Sequence, residues 1–228
     1  MRPVLSFGTV LLAACRHDGT PPESALDPDY VARLVLPSAK PGNASFYDAH
    51  DLAPTPQPAL DSCVPFSAEV SSGWVDDPGA IQFTRNGSVL ASDGGTLLDR
   101  RWDPGAEMGL AVSGGDVPEF WVEPAITLPD AVDAAITVDA DGSLTATWTP
   151  GLDTDRVVLW LPLTNGFLNC LARDDGAFTV SAGDLYAPLR PGTASIARLR
   201  QRISFSADGR VRIEAEAYAF LDPPAILE

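Results

Sequence analysis

The chain has 228 residues, and its 31 acidic residues against 15 basic ones give a formal charge of −16 at pH 7. Such a surface repels nucleic acid and anionic lipid headgroups, so we exclude nucleic acid as a partner and attribute the acidity to solubility. No apolar stretch reaches the ~20 residues that a membrane-spanning helix needs, because charged residues or prolines interrupt each one.

An export signal is predicted at the N-terminus. Arg2 precedes an apolar run from Val4 to Ala14, and small residues then lead into a cysteine. The ending Leu12-Ala13-Ala14-Cys15 resembles the lipobox of bacterial lipoproteins, in which the cysteine is lipidated and becomes the mature N-terminus. The resemblance implies a signal peptide at 1–14 and a lipid anchor in a membrane at Cys15. Arg16, in place of the aspartate that often retains lipoproteins in an inner membrane, favours the outer membrane or the cell surface.

The alternative to an export signal is a cytosolic protein whose first residues form an apolar strand.

Residues 15–29 are polar, contain prolines and lack periodicity, so we expect a flexible tether. A strand is predicted from Tyr30 to Leu36, and the proline-rich stretch from Pro54 to Pro58 separates it from the rest. Short alternating runs bounded by Gly, Pro, Asn and Asp follow throughout and predict an all-β fold.

We predict an antiparallel β-sandwich of the immunoglobulin-like type, with an N-terminal β module at 30–128 and the immunoglobulin-like sandwich at 129–221. Whether the first module is a second sandwich in tandem or an extension of the same one stays open. Residues 157–161 are apolar on both faces, which indicates a central strand. Residues 222–228 are expected to form a frayed tail.

Four hairpins are predicted by matching turn length to the apolar pattern. Asn86-Gly87 fits a two-residue turn that places Phe83 opposite Leu90. Three-residue turns at 140–142, 174–176 and 207–209, each ending in glycine, give the remaining pairs. These pairs are Val138 with Leu144, Ile136 with Ala146, Ala134 with Trp148, Ala172 with Phe178, Cys170 with Val180, Phe205 with Val211, Ile203 with Ile213, Arg202 with Glu214 and Arg200 with Glu216.

The chain contains three cysteines. If Cys15 carries lipid, Cys63 and Cys170 remain as a pair, which an oxidising compartment would convert to a disulfide. Closing a loop of about a hundred residues would stabilise the fold by up to ~4.7 kcal/mol. Two separately buried thiols are the alternative.

Candidate catalytic groups are few. His50 is the only histidine in the predicted body, and its neighbours Asp48 and Asp51 make it a candidate metal ligand or general base. A histidine-based zinc site needs more such ligands, and no Gly-x-Ser-x-Gly elbow is present, so we predict no catalytic residue, metal or cofactor. A surface histidine in a loop is the simpler interpretation.

The sequence suggests two further kinds of binding site, one for a sugar and one for calcium. Trp74, Trp102 and Trp121 are candidates for stacking on a sugar, whereas Trp148 is expected in the core and Trp160 in the central strand. The aspartates at 139–142 and 153–155 suggest calcium, but no twelve-residue loop with a closing glutamate follows them. Asp48, His50, Trp102 and Trp121 are the candidate binding residues.

A further resemblance rests on three short sequence segments: Ser113-Gly114-Gly115-Asp116-Val117-Pro118-Glu119-Phe120, Trp148-Thr149-Pro150-Gly151 and the segment at 174–180. Together they resemble a loose group of uncharacterised lipoproteins secreted by myxobacteria-like predatory bacteria. The resemblance implies a β-sandwich lipoprotein and transfers no catalytic residue. The sequence therefore favours a non-enzymatic, lipid-anchored envelope protein that binds a protein or glycan or has a structural role. The alternatives are a secreted hydrolase using His50 or an acid pair, and a calcium-stabilised glycan-binding adhesin.

Overall fold

The computed structural model describes residues 27–52, 57–66, 72–99, 101–152 and 154–227. The predicted signal peptide, Cys15 and residues 15–26 of the predicted tether lie outside these ranges. The described residues form strands and turns, as predicted for an all-β chain, and contain no helix that could cross a membrane. The strands are β1 (Tyr30–Pro37), β2 (Gly42–Asp48), β3 (Ser62–Pro65), β4 (Ile81–Arg85), β5 (Ser88–Val89), β6 (Ser92–Asp93), β7 (Thr96–Leu97), β8 (Glu107–Val112), β9 (Phe120–Thr127), β10 (Ala134–Val138), β11 (Leu144–Trp148), β12 (Arg156–Leu163), β13 (Gly166–Arg173), β14 (Ala177–Val180), β15 (Gly192–Phe205), β16 (Val211–Phe220) and β17 (Ala225–Leu227).

One long sheet of ten strands organises the fold. Its order is β3-β13-β12-β15-β16-β1-β2-β7-β6, and β17 pairs with one end of β15. Two smaller sheets, β5-β4-β8-β9 and β10-β11-β14, complete the described architecture. Among the described strands only β1 and β16 pair in parallel, and this pairing joins the first strand to the last long hairpin. A single sheet therefore runs through both halves of the chain.

Both smaller sheets pack on the same face of the long sheet, which we call the inner face. The first core lies between the four-stranded sheet and the part of the long sheet that contains β16, β1 and β2. The second core lies between the three-stranded sheet and the part that contains β13, β12 and β15. Alternation along each strand sends every second side chain into these cores. Trp148, predicted to face the core, is 6% exposed in the second one.

Three arginines on the inner face of β15 occupy the seam between the two cores. Arg198 donates to the backbone carbonyls of Ala131 and Thr149, and it pairs with a buried aspartate. Arg200 reaches the carbonyl of Thr127, and Arg202 continues the row. Long side chains that carry several donors are suited to this seam, because carbonyls without strand partners there still need hydrogen bonds.

Two of the predicted hairpins and the predicted central strand are confirmed. Leu90 N–H donates to the Phe83 carbonyl around the Asn86-Gly87 turn, and β10 pairs with β11 in the predicted register around 140–142. Gly87 and Gly142 have φ of 75° and 83°, so each turn needs the left-handed backbone that glycine adopts without strain. Strand β12 lies between β13 and β15, as expected for residues that are apolar on both faces.

The predicted register of the last hairpin is wrong. Phe205 pairs with Arg212 and not with Val211, because the loop has four residues, 207–210, where three were predicted. Ser206 adds the extra pair: its N–H donates to the Val211 carbonyl across 2.8 Å. One additional residue moves every following side chain to the opposite face. Ile203 is therefore exposed, and the predicted pairs of Arg200 with Glu216 and Arg202 with Glu214 do not form.

Two further expectations are corrected. Strand β14 does not fold back on β13; it crosses to the other sheet and pairs with β11, so Phe178 lies opposite Ala146 and not Ala172. Phe178 still packs on the second core from the opposing side, which is why the apolar pattern could not distinguish the two arrangements. The tail at 222–228, expected to be frayed, contains β17, and its Leu227 is buried.

Candidate functional site

The outer face of the long sheet contains a depression lined by polar and aromatic side chains. No second sheet covers this face among the described residues, and a cavity of about 230 Å³ opens on it. We call this cavity the outer groove. Its lining includes Arg33, Trp160, Asn169, Glu214, Glu216 and Tyr218.

Aromatic rings from two non-adjacent strands form the floor of the outer groove. Trp160 of β12 stacks on Phe220 of β16 with ring centroids 5.7 Å apart, and its centroid lies 5.9 Å from that of Tyr218. The intervening strand β15 carries the small residues Ser195 and Ala197 beneath these rings. Small side chains there leave room for the rings to meet above the strand, which places an apolar platform on an open sheet face.

The carboxylate of Glu216 is fixed next to this platform. The Tyr218 hydroxyl donates to Glu216 Oε2 across 2.6 Å, and Gln201 Nε2 donates to Oε1 across 2.8 Å. Both donors are uncharged, and the two carboxylate oxygens have lone pairs left for a further donor. Glu216 is thus a positioned hydrogen-bond acceptor.

Glu214, two residues earlier on the same face of β16, is held by two cations. Arg33 Nε lies 3.1 Å from Glu214 Oε2, and Arg212 Nη2 lies 3.0 Å from Oε1. The Arg33 guanidinium also lies over the ring of Tyr47, 5.3 Å from its centroid. The negative charge of this carboxylate is therefore balanced locally.

The side chain of Asn169, which lines the groove, carries a buried oxygen without a hydrogen-bond partner. Its Oδ1 is buried and accepts no hydrogen bond within the described residues. Leaving a buried acceptor unpaired costs about 1–3 kcal/mol, so such atoms are few in folded proteins. Asn169 lies opposite Trp160 in the β12–β13 pair, so the unpaired acceptor is adjacent to the aromatic floor.

A covalent link attaches one wall of the groove to the sheet. Residues 57–66 form this wall, and their strand β3 pairs with the edge of β13. Cys63 lies directly opposite Cys170 in that pair and forms the predicted disulfide with it. Asp61 Oδ1 also accepts a hydrogen bond from the backbone N–H of Arg173. The wall therefore has covalent and hydrogen-bonded attachments to the sheet.

The predicted residues Asp48 and His50 lie together, but their contact is that of a turn. Asp48 Oδ1 accepts a hydrogen bond from the backbone N–H of His50 across 2.9 Å, and His50 is exposed. This is the local bond by which aspartate commonly initiates turns. Neither residue lines the outer groove.

The predicted tryptophans lie apart from one another. Trp102 packs against the first core, and its indole N–H donates to the Pro129 carbonyl across 3.2 Å. Trp121 lies on β9 of the four-stranded sheet and is 67% exposed. Trp74 is 58% exposed and packs on Tyr47, with ring centroids 4.8 Å apart. Through Tyr47 and Arg33, Trp74 is connected by contacts to the outer groove.

Of the aspartates suggested for calcium, Asp139, Asp141 and Asp155 have protein partners, and Asp153 lies outside the described residues. Asp141 Oδ1 accepts from the Ser143 hydroxyl and N–H, and these bonds hold the pKa of Asp141 below its ordinary value. Asp155 binds Arg200 through both carboxylate oxygens, at 2.6 and 2.7 Å. No group of three or more metal-ligating side chains occurs among the described residues.

Sequence reasoning placed Trp160 correctly but did not identify the groove. The signal was the alternation in β16, where Glu214, Glu216, Tyr218 and Phe220 are separated by alanines. Alternation predicts one apolar face and one open face, and the open face here combines carboxylates with aromatic rings. Such a surface can bind a ligand that has both hydrogen-bond donors and an apolar side. Comparison of the chain with protein-family models, curated proteins and solved structures gives no match.

Proposed function

We propose that this chain is a lipid-anchored protein of the bacterial cell envelope that binds a ligand in the outer groove and catalyses no reaction on it. The observation that carries the proposal is the buried, unpaired Oδ1 of Asn169 beside the aromatic floor. An unpaired buried acceptor beside a cavity is satisfied when a ligand brings a donor to it. Glu214 and Glu216 are each held in place by neighbouring side chains, so their carboxylates can serve as fixed hydrogen-bond acceptors for a ligand.

The sequence and the disulfide support the location. The segment from Arg2 to Cys15 has the pattern of a lipoprotein signal, and the disulfide of Cys63 with Cys170 is of a kind that persists in oxidising compartments. A sheet face exposed on a tethered body would be accessible to ligands outside the membrane. We assign the outer membrane or cell surface as the site of action.

The same proposal includes an immunoglobulin-like sandwich in the C-terminal half. Strands β10, β11 and β14 form one sheet, and β12, β15 and β16 are neighbours in the facing one, with β13 beside β12. This division matches strands A, B and E against C, F and G of immunoglobulin-like folds. Domains of this type frequently serve as binding modules, although the fold alone does not assign an activity.

A site-specific spectrum tests ligand binding. The full chain, labelled with 5-fluorotryptophan and extracted in a polyoxyethylene detergent that contains no sugar, gives one ¹⁹F resonance for each of its five tryptophans. Trp160→Phe and Trp121→Phe assign two of them. The probes are neutral oligosaccharides, hexalysine, hexaglutamate, a muropeptide and a short-chain phosphatidylethanolamine. We expect at least one probe to shift the Trp160 resonance and leave that of Trp121 unchanged; if no probe shifts Trp160, the outer groove is not a ligand site.

A further inference from the structure

We propose that the ligand of the outer groove is a neutral oligosaccharide, one sugar ring of which packs against Trp160 and Tyr218 while further units run along the outer face toward Trp74. This inference rests on the proposed function and names its ligand class. It follows from the charges, acceptors and shape of the groove.

The charges of the groove disfavour an anionic ligand, and they disfavour a cation beside Glu214. An anion would approach Glu214 and Glu216 on a chain whose formal charge is −16. A cation next to Glu214 would meet Arg33 and Arg212, which already balance that carboxylate at 3.1 and 3.0 Å. Like charges placed close together in a partly buried site are unfavourable. A neutral ligand avoids both costs.

The polar atoms of the groove require a ligand with several donors. Glu216 has unused lone pairs, and Asn169 Oδ1 is buried without a partner. A purely apolar ligand would cover these acceptors without satisfying them, which is unfavourable. Sugar hydroxyls donate hydrogen bonds without carrying charge, and the C–H face of a pyranose ring matches the aromatic floor.

The size and layout of the site indicate more than one sugar unit. A cavity of about 230 Å³ is smaller than the roughly 300–1,000 Å³ typical of drug-sized ligands, so it accommodates one ring of a longer chain. Trp74, which is 58% exposed, lies on Tyr47 of β2. In the sheet order β2 is four strands from β12, a lateral distance of about 19 Å at ~4.8 Å per strand. A second aromatic platform at that distance suits an oligosaccharide.

The test uses the ¹⁹F-labelled full chain with disaccharides and hexasaccharides of the chito-, cello-, malto-, xylo- and manno-series. We expect at least one hexasaccharide to shift Trp160 and Trp74, with an affinity that is unchanged between about 0.05 and 0.5 M salt because the ligand is neutral. Trp74→Ala should lower the affinity for the hexasaccharide by roughly fivefold and leave the affinity for the disaccharide unchanged. Trp121→Ala, on the other sheet, is the matched control and should change neither.

Asn169→Leu separates a ligand contact from a structural role. Leucine is similar in size and has no acceptor to leave unpaired, so thermal stability should be unchanged or higher, while saccharide affinity falls roughly tenfold. Trp160→Ala should reduce affinity at least as much, and Asn169→Leu keeps the test decisive if that variant folds poorly. If only hexalysine, hexaglutamate, the muropeptide or the lipid shifts Trp160, the groove binds a ligand but the saccharide assignment is wrong. If no probe shifts Trp160, both proposals are wrong.

Discussion

Arg198 Nε donates to Asp174 Oδ2 across 2.6 Å, and both side chains are almost completely removed from solvent, at 4% and 0% exposure. The remaining guanidinium nitrogens of Arg198 bind backbone carbonyls, among them that of Ala131 at 3.1 Å. Burying a charge is tolerated only when it is paired and hydrogen-bonded, and this ion pair meets both conditions. It joins β15 to the loop after β13 at the seam between the two cores.

Arg198→Met should destabilise the fold by about 3–5 kcal/mol, because Asp174 would remain buried without its cation. The free energy of unfolding, measured by urea denaturation, checks this. Arg101→Met is the control: Arg101 pairs with Asp103 at 2.8 Å but is 70% exposed, so its removal should cost less than about 1 kcal/mol. Equal losses in the two variants would contradict the role we assign to the buried pair.

The disulfide should contribute both to stability and to the groove. Replacing Cys63 and Cys170 together by serine should lower the free energy of unfolding by up to ~4.7 kcal/mol on the chain-entropy account, because the link closes a separation of 107 residues. Any ligand that shifts Trp160 should also bind the double variant more weakly, since the wall at 57–66 loses its covalent attachment. Mass spectrometry of an unreduced digest should show the linked peptides; two free thiols there would refute the pairing.

Local signals in the sequence predicted the parts of the fold that local chemistry controls. The turns at Asn86-Gly87 and 140–142 agree with prediction because each needs a positive φ at a glycine and joins adjacent strands. The predicted register of the last hairpin is wrong by one residue, because Ser206 extends the pairing of β15 with β16. Its hydroxyl accepts from the Val211 N–H across 2.9 Å and donates to Asp208 across 2.6 Å. A serine that stabilises a loop in this way has no distinct signature in an apolar pattern.

The parts that failed depend on distant residues. The sequence predicts Arg200 and Arg202 as partners of Glu216 and Glu214, because nothing local reveals that Arg200 lies on the inner face and binds Asp155. The parallel pairing of β1 with β16 joins residues about 180 positions apart, and no turn connects them. The outer groove depends on both features, so Arg33, Tyr218 and Trp160 could not be placed together from the sequence.

Gly209 adopts φ of 76° in the loop between β15 and β16, a conformation that a β-branched residue tolerates poorly. Gly209→Val should therefore destabilise the protein by roughly 1–2 kcal/mol. Gly183→Val is the matched control, because Gly183 lies in a loop outside the left-handed region and only the Ser181 hydroxyl is near its position for a Cβ. The melting temperature should fall in the first variant and change little in the second; no fall at Gly209 would show that the loop does not need this backbone conformation.

Acid should weaken the same loop. The Ser206 hydroxyl and then the Arg210 N–H donate to Asp208, which holds the pKa of Asp208 below its ordinary value of 3.8. Because the folded pKa is lower than the unfolded one, the stabilisation is present above about pH 4 and is lost as the pH falls through the folded value. Carbon-13 titration of the Asp208 carboxyl should give a pKa below 3.8, and Ser206→Ala should raise it. An unchanged pKa in Ser206→Ala would disprove the hydroxyl as the main cause.

Lipidation is expected at Cys15, in the segment outside the described residues. Cys15→Ser should abolish incorporation of radiolabelled palmitate and leave unprocessed precursor, because the thiol is the atom that would carry the lipid and direct cleavage before residue 15. Cys63→Ser is the control and should remain labelled. It keeps Cys15, and in the wild type the Cys63 sulfur is bonded to Cys170 and so is not the site of lipidation. Several acyl chains would hold the protein firmly, each buried methylene adding ~0.8 kcal/mol, so the wild type should sediment with membranes after a high-salt wash. A wild-type product that keeps its initiator methionine and stays in the soluble cytosol would refute the anchor.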